Sequence, residues 1–257
     1  KSPLSGFAVE FAGHREYVPG DDPRHLDWRV YFTRDKYFIK QYEMETNFVC
    51  HLLLDVSASM RYGEGPHQKL LAAAQLATTL AHCVVRQADK VSLVTFDERI
   101  LTTLPPGSTL AQITRMAEHL DTIEPVRKTN LAECLAEAQG RMGRREIVMI
   151  FSDFFTDLDA LERVLQRFRY DRHEVVLFHV LHPDELEFRL PGRVKFRGLE
   201  SDAEVLAQPA ELRRRYLEAL GRFNAKLEDI CGRNQVERVL VDTGRDRAAV
   251  LIDHLNK

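Results

Sequence analysis

Val49-Cys50-His51-Leu52-Leu53-Leu54-Asp55-Val56-Ser57-Ala58-Ser59 is the stretch that decides the fold. It is a short apolar run that ends in an acidic residue and two alternating hydroxyl residues. Further runs of the same kind lie at residues 91–96, 147–151, 175–181 and 236–241. Continuous apolar runs of this length are typical of strands buried on both faces, as in a parallel sheet covered by helices.

Helical periods separate these runs. Apolar residues recur every three or four positions within residues 70–84, 113–120, 131–138, 161–168, 210–231 and 248–255. The alternation predicts an α/β fold with a doubly wound, mostly parallel open sheet flanked by helices, similar to a Rossmann fold. Residues 99–104 are expected to add an antiparallel edge strand. If that strand is the third, a 3-2-1-4-5-6 order places the first and fourth strands side by side.

The pattern predicts one large domain with two additions. Residues 1–46 are expected to form an N-terminal arm that packs on the sheet, and residues 1–36 have no regular pattern. Residues 47–257 form the α/β domain, with an insertion at about 182–209. Strand-like pieces at Glu187–Leu190 and Val194–Phe196 suggest that the insertion is a hairpin.

Composition narrows the class of protein. The 257 residues are 44% hydrophobic and 29% charged, with 36 basic against 39 acidic side chains, as in an ordinary globular protein. The near-neutral charge argues against nucleic acid as the main partner, and no apolar run is long enough to span a membrane. No secretory signal is seen, and the four cysteines lie far apart. We therefore expect free thiols and a cytoplasmic location.

The residues after two of the strands carry the chemistry. Asp55, Ser57 and Ser59 offer three hard oxygen atoms from one turn, which suits Mg²⁺, with Mn²⁺ or Ca²⁺ as alternatives. Thr129 precedes the fourth helix, and Asp153 follows the fourth strand. Because the first and fourth strands are expected to be neighbours, Asp55 and Asp153 should face each other across the edge of the sheet. Alternatively, the Asp55 turn and Thr129–Asn130 could serve only as helix caps.

A family resemblance supports the metal interpretation. The five residues Asp55, Ser57, Ser59, Thr129 and Asp153 resemble the metal-ion-dependent adhesion site of von Willebrand factor type A domains. The signature Gly20-Asp21-Asp22-Pro23-Arg24, followed by Asp27-Trp28, is similar to the domain-of-unknown-function 58 family. The resemblance implies that Asp55, Ser57, Ser59 and Thr129 bind the metal directly and that Asp153 binds through water. Phe154 stands where many such sites have glycine, and Phe155 follows it, so these two bulky side chains could narrow the metal face.

The resemblance also implies a function. A member of this family is expected to be a non-enzymatic, metal-dependent protein-interaction domain, an adaptor or co-chaperone of a MoxR-type AAA+ ATPase. An acidic residue from the ATPase or its client would complete the metal site. Two alternatives stay open: a metal-independent interaction domain with a vestigial site, and an Mg²⁺-dependent phosphatase of the haloacid dehalogenase type. The phosphatase would need a general acid at position 57, where the chain has Ser57.

Overall fold

The computed structural model describes residues 9–34, 36–44, 48–124, 128–188, 194–197, 204–207 and 209–249. The chain divides into two compact units, Lys1–Asn47 and Phe48–Lys257. The predicted packing of the N-terminal arm on the sheet stays a prediction.

The first unit contains more regular structure than its sequence suggested. Strand β1 (Val9–Glu16) pairs antiparallel with β2 (Phe38–Met44), and helix α1 (Trp28–Arg34) lies between them in the chain. The expectation of an irregular segment over residues 1–36 is therefore wrong for β1 and α1. Charged residues and Gly13 interrupt the apolar alternation of β1, and the pairing register shifts between Phe11 and Gly13. Such an irregular strand has no clear period-2 signal.

The second unit is built on a six-stranded sheet and a separate strand pair. The strands that follow β2 are β3 (Val49–Asp55), β4 (Lys90–Phe96), β5 (Ile100–Gly107), β6 (Ile147–Ser152), β7 (Glu174–Leu181), β8 (Val194–Arg197), β9 (Glu204–Ala207) and β10 (Glu237–Asp242). The sheet order is β10-β7-β6-β3-β4-β5. All neighbours are parallel except β4 and β5. Counted along the chain, this is the predicted 3-2-1-4-5-6 order with an antiparallel edge, so the predicted fold class is confirmed.

Helices cover both faces of this sheet. The helices of the described part of the second unit are α2 (Lys69–Arg86), α3 (Leu110–Asp121), α4 (Leu131–Gln139), α5 (Leu158–Tyr170), the short α6 (Pro183–Glu187) and α7 (Pro209–Asn234). The predicted last helix at 248–255 lies mostly outside the described residues. Among the described residues, we find no helix with the length and apolar character needed to cross a lipid bilayer.

The strands are buried on both faces because each one separates two apolar cores. In β3, Leu52 and Leu54 pack in a core with the apolar face of α2, whereas Leu53 packs with α4 and α5 on the opposite face. This alternation follows from the period of two residues in a strand. It also holds the end of β3 rigidly, which fixes the position of Asp55.

The insertion differs in part from the predicted hairpin. Its antiparallel pair is β8 with β9, from Val194↔Ala207 to Arg197↔Glu204. The predicted strand at Glu187–Leu190 is wrong at its start, because Glu187 ends helix α6 and Phe188 is left-handed with φ of 48°. The rest of that predicted strand lies outside the described residues. A capping box between His182 and Glu185 starts the helix, and a histidine cap is not a usual helix signal.

Candidate metal centre

The centre lies where β3 and β6 end. Asp55 is the last residue of β3, and the amide of Val56 still donates to the Phe96 carbonyl at 2.8 Å. The chain then turns, because the Ser57 amide donates to Asp55 Oδ1 at 2.9 Å. A short 3₁₀ turn, Ala58–Arg61, follows. The small residues of this turn bring two hydroxyls back toward the Asp55 carboxylate.

Four of the five predicted ligands meet at this turn. Ser57 Oγ and Ser59 Oγ are 3.2 Å apart, and Thr129 Oγ1 lies 3.5 Å from Asp55 Oδ2. The same Asp55 oxygen accepts a hydrogen bond of 2.6 Å from Ser152 Oγ. Asp55 and Ser57 are fully buried. The turn thus concentrates oxygen atoms around a carboxylate that lies away from bulk solvent.

The backbone at the end of β4 positions the loop that contains Thr129. The amide of Asn130 donates to the Asp97 carbonyl at 3.0 Å, which ties this loop to the end of β4. Asp97 is buried, and its carboxylate accepts from the Arg99 amide, so it serves as a turn carboxylate. Asn130 precedes α4 but makes no side-chain cap hydrogen bond. Its side chain donates to Glu133 instead.

Asp153, the fifth predicted ligand, follows β6 and binds a lysine. Lys69 Nζ donates to Asp153 Oδ2 at 2.9 Å and to Glu185 Oε1 at 2.8 Å. The side chains of Lys69 and Asp153 are each only 1% exposed. The other Asp153 oxygen accepts from the Phe155 amide at 3.2 Å. Both oxygens of this carboxylate therefore have protein partners.

Burial and neighbouring charges shift the titration of the centre. Burial, and then the nearby Asp153 carboxylate, raise the pKa of Asp55 to about 6, against hydrogen bonds from Ser152 and Ser57. Burial alone lowers the pKa of Lys69, but Asp153 and Glu185 outweigh it, and the net shift is upward. Lys69 therefore stays charged. Two buried carboxylates that repel each other favour a nearby cation.

The two phenylalanines after Asp153 lie in different surroundings and do not jointly block the centre. Phe154 is fully buried in the core that contains Leu158 and Leu227. Its φ of 54° is left-handed, a region that favours glycine. Phe155 is 41% exposed, and its ring centroid lies 5.8 Å from Lys69 Nζ. Of the two residues expected to narrow the metal face, only Phe155 lies beside the charged groups.

Three residues of the centre are absent from the ligand set that the sequence predicts. Ser152 could have been included, because it directly precedes Asp153 at a strand end. Lys69 is 84 positions from Asp153 and 116 positions from Glu185 in the sequence. No local pattern marks Lys69 or Glu185. Lys69 is at the start of a helix, where a basic residue opposes the helix dipole and signals nothing by itself.

The donor set can be tested for its fit to a hard divalent cation. It contains two carboxylates and neutral hydroxyls, all oxygen, as Mg²⁺ and Mn²⁺ prefer. Among the described residues, no three His, Cys, Asp or Glu side chains come together as a metal-binding group. The centre therefore depends on hydroxyls and has a low negative charge. Asp55, Ser57, Ser59 and Thr129 are oxygen donors of the kind that this ion takes, whereas both oxygens of Asp153 already accept hydrogen bonds from the protein.

The strand order defines a doubly wound α/β domain, and its fold is of the von Willebrand factor type A-like class. The sequence profile described as "Protein of unknown function DUF58" matches residues 13–225. The chain belongs to this family, which confirms the resemblance seen in the sequence.

The chain is also similar to individual proteins and solved structures. The uncharacterized protein Rv1480 of Mycobacterium tuberculosis is 25% identical over 206 residues, which are 77% of this chain and 63% of the relative. This chain therefore spans less than two thirds of that relative. An aerotolerance-related membrane protein from Bacteroides fragilis has a TM-score of 0.56 at 17% identity, covering 82% of this chain and all of its own. BatB from Bacteroides thetaiotaomicron has a TM-score of 0.55 at 15% identity, covering 81% of this chain and 96% of its own. These two structures share the fold.

Proposed function

We propose that this chain is a non-enzymatic protein-interaction domain that binds its partner through a divalent metal ion. The observation that carries the proposal is the convergence of Asp55, Ser57, Ser59 and Thr129 at the carboxyl ends of β3 and β6. Ligand sites of open α/β sheets lie at this edge, beside the point where strand order reverses. The fold class by itself supports a protein-interaction domain.

The chain's own residues supply the charge and the shape of the site. Asp55 provides one fixed negative charge, held in place by the hydrogen bond from Ser152. Ser57, Ser59 and Thr129 provide neutral oxygens, so they add no negative charge. Mg²⁺, when bound, would supply a positively charged coordination position that attracts an Asp or Glu carboxylate of the partner. This chemistry requires no bond to break.

The partner is proposed from the family resemblance. We infer an adaptor or co-chaperone role in the cytoplasm, with a MoxR-type AAA+ ATPase or its client as the partner. An acidic side chain of that partner would complete the centre. Nucleic acid is not proposed as a partner, because the 36 basic residues are balanced by 39 acidic ones.

Asp55→Ala tests the metal dependence. At a Mg²⁺ concentration of about 100 Kd, binding stabilises a protein by about 2.7 kcal/mol, so the wild type should melt several degrees higher with Mg²⁺ than with chelator. Asp55→Ala should keep its fold, lose this shift and lose chelator-sensitive pull-down of the ATPase. Asp121→Ala, which removes one carboxylate from an exposed position at the end of α3, is the matched control and should behave like the wild type.

One observation favours a second candidate function. Because Lys69 already pairs with Asp153, the centre contains a cation of its own. The domain would then bind its partner without a metal, and the metal site would be vestigial. If the melting temperature does not change with millimolar Mg²⁺ or Mn²⁺ and chelator does not affect the pull-down, this second candidate replaces the first. Turnover of a phosphate ester that Asp55→Asn abolishes would instead indicate a phosphatase.

A further inference from the structure

Lys69 is an unusual residue for the start of a helix. Its amide donates to the Tyr62 carbonyl at 3.0 Å, which attaches the start of α2 to the turn that follows Ser59. Its side chain reaches inward and is almost completely buried. A buried ammonium group is costly unless charged partners surround it. Its partners are Asp153, at the end of β6, and Glu185, on α6.

The surroundings keep this ammonium group in place. The Phe155 ring lies over it, with Nζ 5.8 Å from the ring centroid. Glu185 is fixed at its other end, because its second oxygen accepts from the His182 amide at 2.8 Å. Lys69 is thus held between a carboxylate of the centre and a carboxylate of the insertion. The two carboxylates share one positive charge.

This arrangement affects any cation bound next to Asp153. An ammonium group at 2.9 Å from Asp153 Oδ2 cancels much of the charge that the carboxylate could offer. Glu185 draws part of that positive charge away, because it binds the same ammonium group at 2.8 Å. Lys69 and Asp153 are both buried, so their charges are weakly screened by salt.

We propose that Lys69 is an internal cation that sets how strongly the centre holds a divalent ion, and that Glu185 on α6 tunes it by sharing the Lys69 charge with Asp153. This inference rests on the proposed function, because it assumes that the centre binds a metal. It makes Lys69 and Glu185 positioning residues, since neither is a metal ligand. It also links the beginning of the insertion to the metal face.

Mn²⁺ titration followed by electron paramagnetic resonance tests the inference on the full chain. Lys69→Met removes the competing charge and should tighten Mn²⁺ binding tenfold or more, which equals about 1.4 kcal/mol or more. Glu185→Gln leaves the whole Lys69 charge on Asp153 and should weaken binding at least threefold. Arg61→Met is the charge-matched control, because Arg61 is exposed on the turn after Ser59. At about 0.15 M salt it should change the affinity less than twofold.

The outcomes separate this inference from the proposed function. If the wild type binds Mn²⁺ but Lys69→Met and Glu185→Gln bind it equally well, the inference is overturned and the metal-dependent function stands. If the wild type binds no Mn²⁺ but Lys69→Met does, the inference is supported and the metal-dependent function fails. If Lys69→Met and Arg61→Met change the Mn²⁺ affinity equally, the effect comes from net charge alone and the inference is overturned. If Lys69→Met does not fold, an unchanged affinity in Glu185→Gln is sufficient to overturn it.

Discussion

Phe154 allows a prediction in which two energetic effects oppose each other. Its ring is fully buried, 5.7 Å from the His179 ring in an edge-on contact, and its backbone is left-handed. Truncating a buried phenylalanine to alanine costs about 3–5 kcal/mol in the free energy of unfolding. A left-handed conformation costs any side-chain-bearing residue about 1 kcal/mol more than glycine. Phe154→Ala therefore keeps the strain and loses the packing, whereas Phe154→Gly loses both.

We expect Phe154→Gly to be more stable than Phe154→Ala by about 1 kcal/mol, although both are less stable than the wild type. Phe151 is the matched control: it is equally buried but lies within β6. In a strand, glycine is normally less stable than alanine by about 0.5–1 kcal/mol, so Phe151→Gly should be less stable than Phe151→Ala. The predicted sign of the difference between glycine and alanine is thus opposite at the two positions.

Urea unfolding followed by far-UV circular dichroism measures these differences. Tryptophan fluorescence is unsuitable, because the one tryptophan, Trp28, lies in helix α1 of the first unit. Equal denaturant slopes among the variants are required before their free energies are compared. If Phe154→Gly is less stable than Phe154→Ala, the left-handed strain at this position is not what distinguishes the two residues, and the reasoning fails.

Three further predictions concern other parts of the second unit. Burial, and then Arg238, lower the pKa of His179 to about 3, so the folded protein loses stability relative to the unfolded chain as the pH falls from about 6.5 toward 3. His179→Gln should make this decline of the unfolding free energy less steep, by up to about 1.4 kcal/mol per pH unit. His82→Gln, at an exposed position, should leave the slope unchanged. Gly63→Ala should destabilise the chain by about 2 kcal/mol or more in urea unfolding, because Gly63 has a φ of +95° and the added Cβ would lie 2.6 Å from the His67 carbonyl oxygen. Gly65→Ala is the control: its Cβ would meet no atom within 4 Å, so the substitution should cost only about 1 kcal/mol. In a thiol-reagent assay of the native protein, only exposed Cys83 should react fast; rapid modification of a second thiol would contradict the burial of Cys50, Cys134 and Cys231.

The sheet was predictable because the amino-acid composition of its strands shows that they are buried. Runs such as Leu52-Leu53-Leu54 are apolar on both faces, and their spacing leaves room for crossover helices. When residues 99–104 are counted as the third strand, the expected strand order makes β3 and β6 neighbours, as they are in the structure. Their carboxyl ends, where Asp55 and Asp153 lie, are then at the same edge of the sheet. Antiparallel β1 and β2 were missed because their charged residues hide the alternation.

The charge balance at the centre could not be predicted in the same way. Lys69 meets Asp153 and Glu185 through side chains from three separate elements, and such meetings depend on how the helices sit on the sheet. Phe154 shows the reverse case. Its position after Asp153 suggested an obstacle, but the left-handed backbone carries its ring into the core. A single-residue backbone conformation of this kind leaves no periodic signal in the sequence.

Strand β5 also determines how this protein can associate with other chains. It ends the sheet, and its side chains alternate between half-buried and exposed positions. Pro105 and Pro106 have no amide hydrogen, and the Pro105 carbonyl already accepts from the Gln112 side chain at 2.8 Å. A strand from another molecule would find no amide hydrogen at these two positions. This end of β5 is therefore poorly suited to pairing with a strand of another molecule, whereas β10 forms the opposite edge of the sheet.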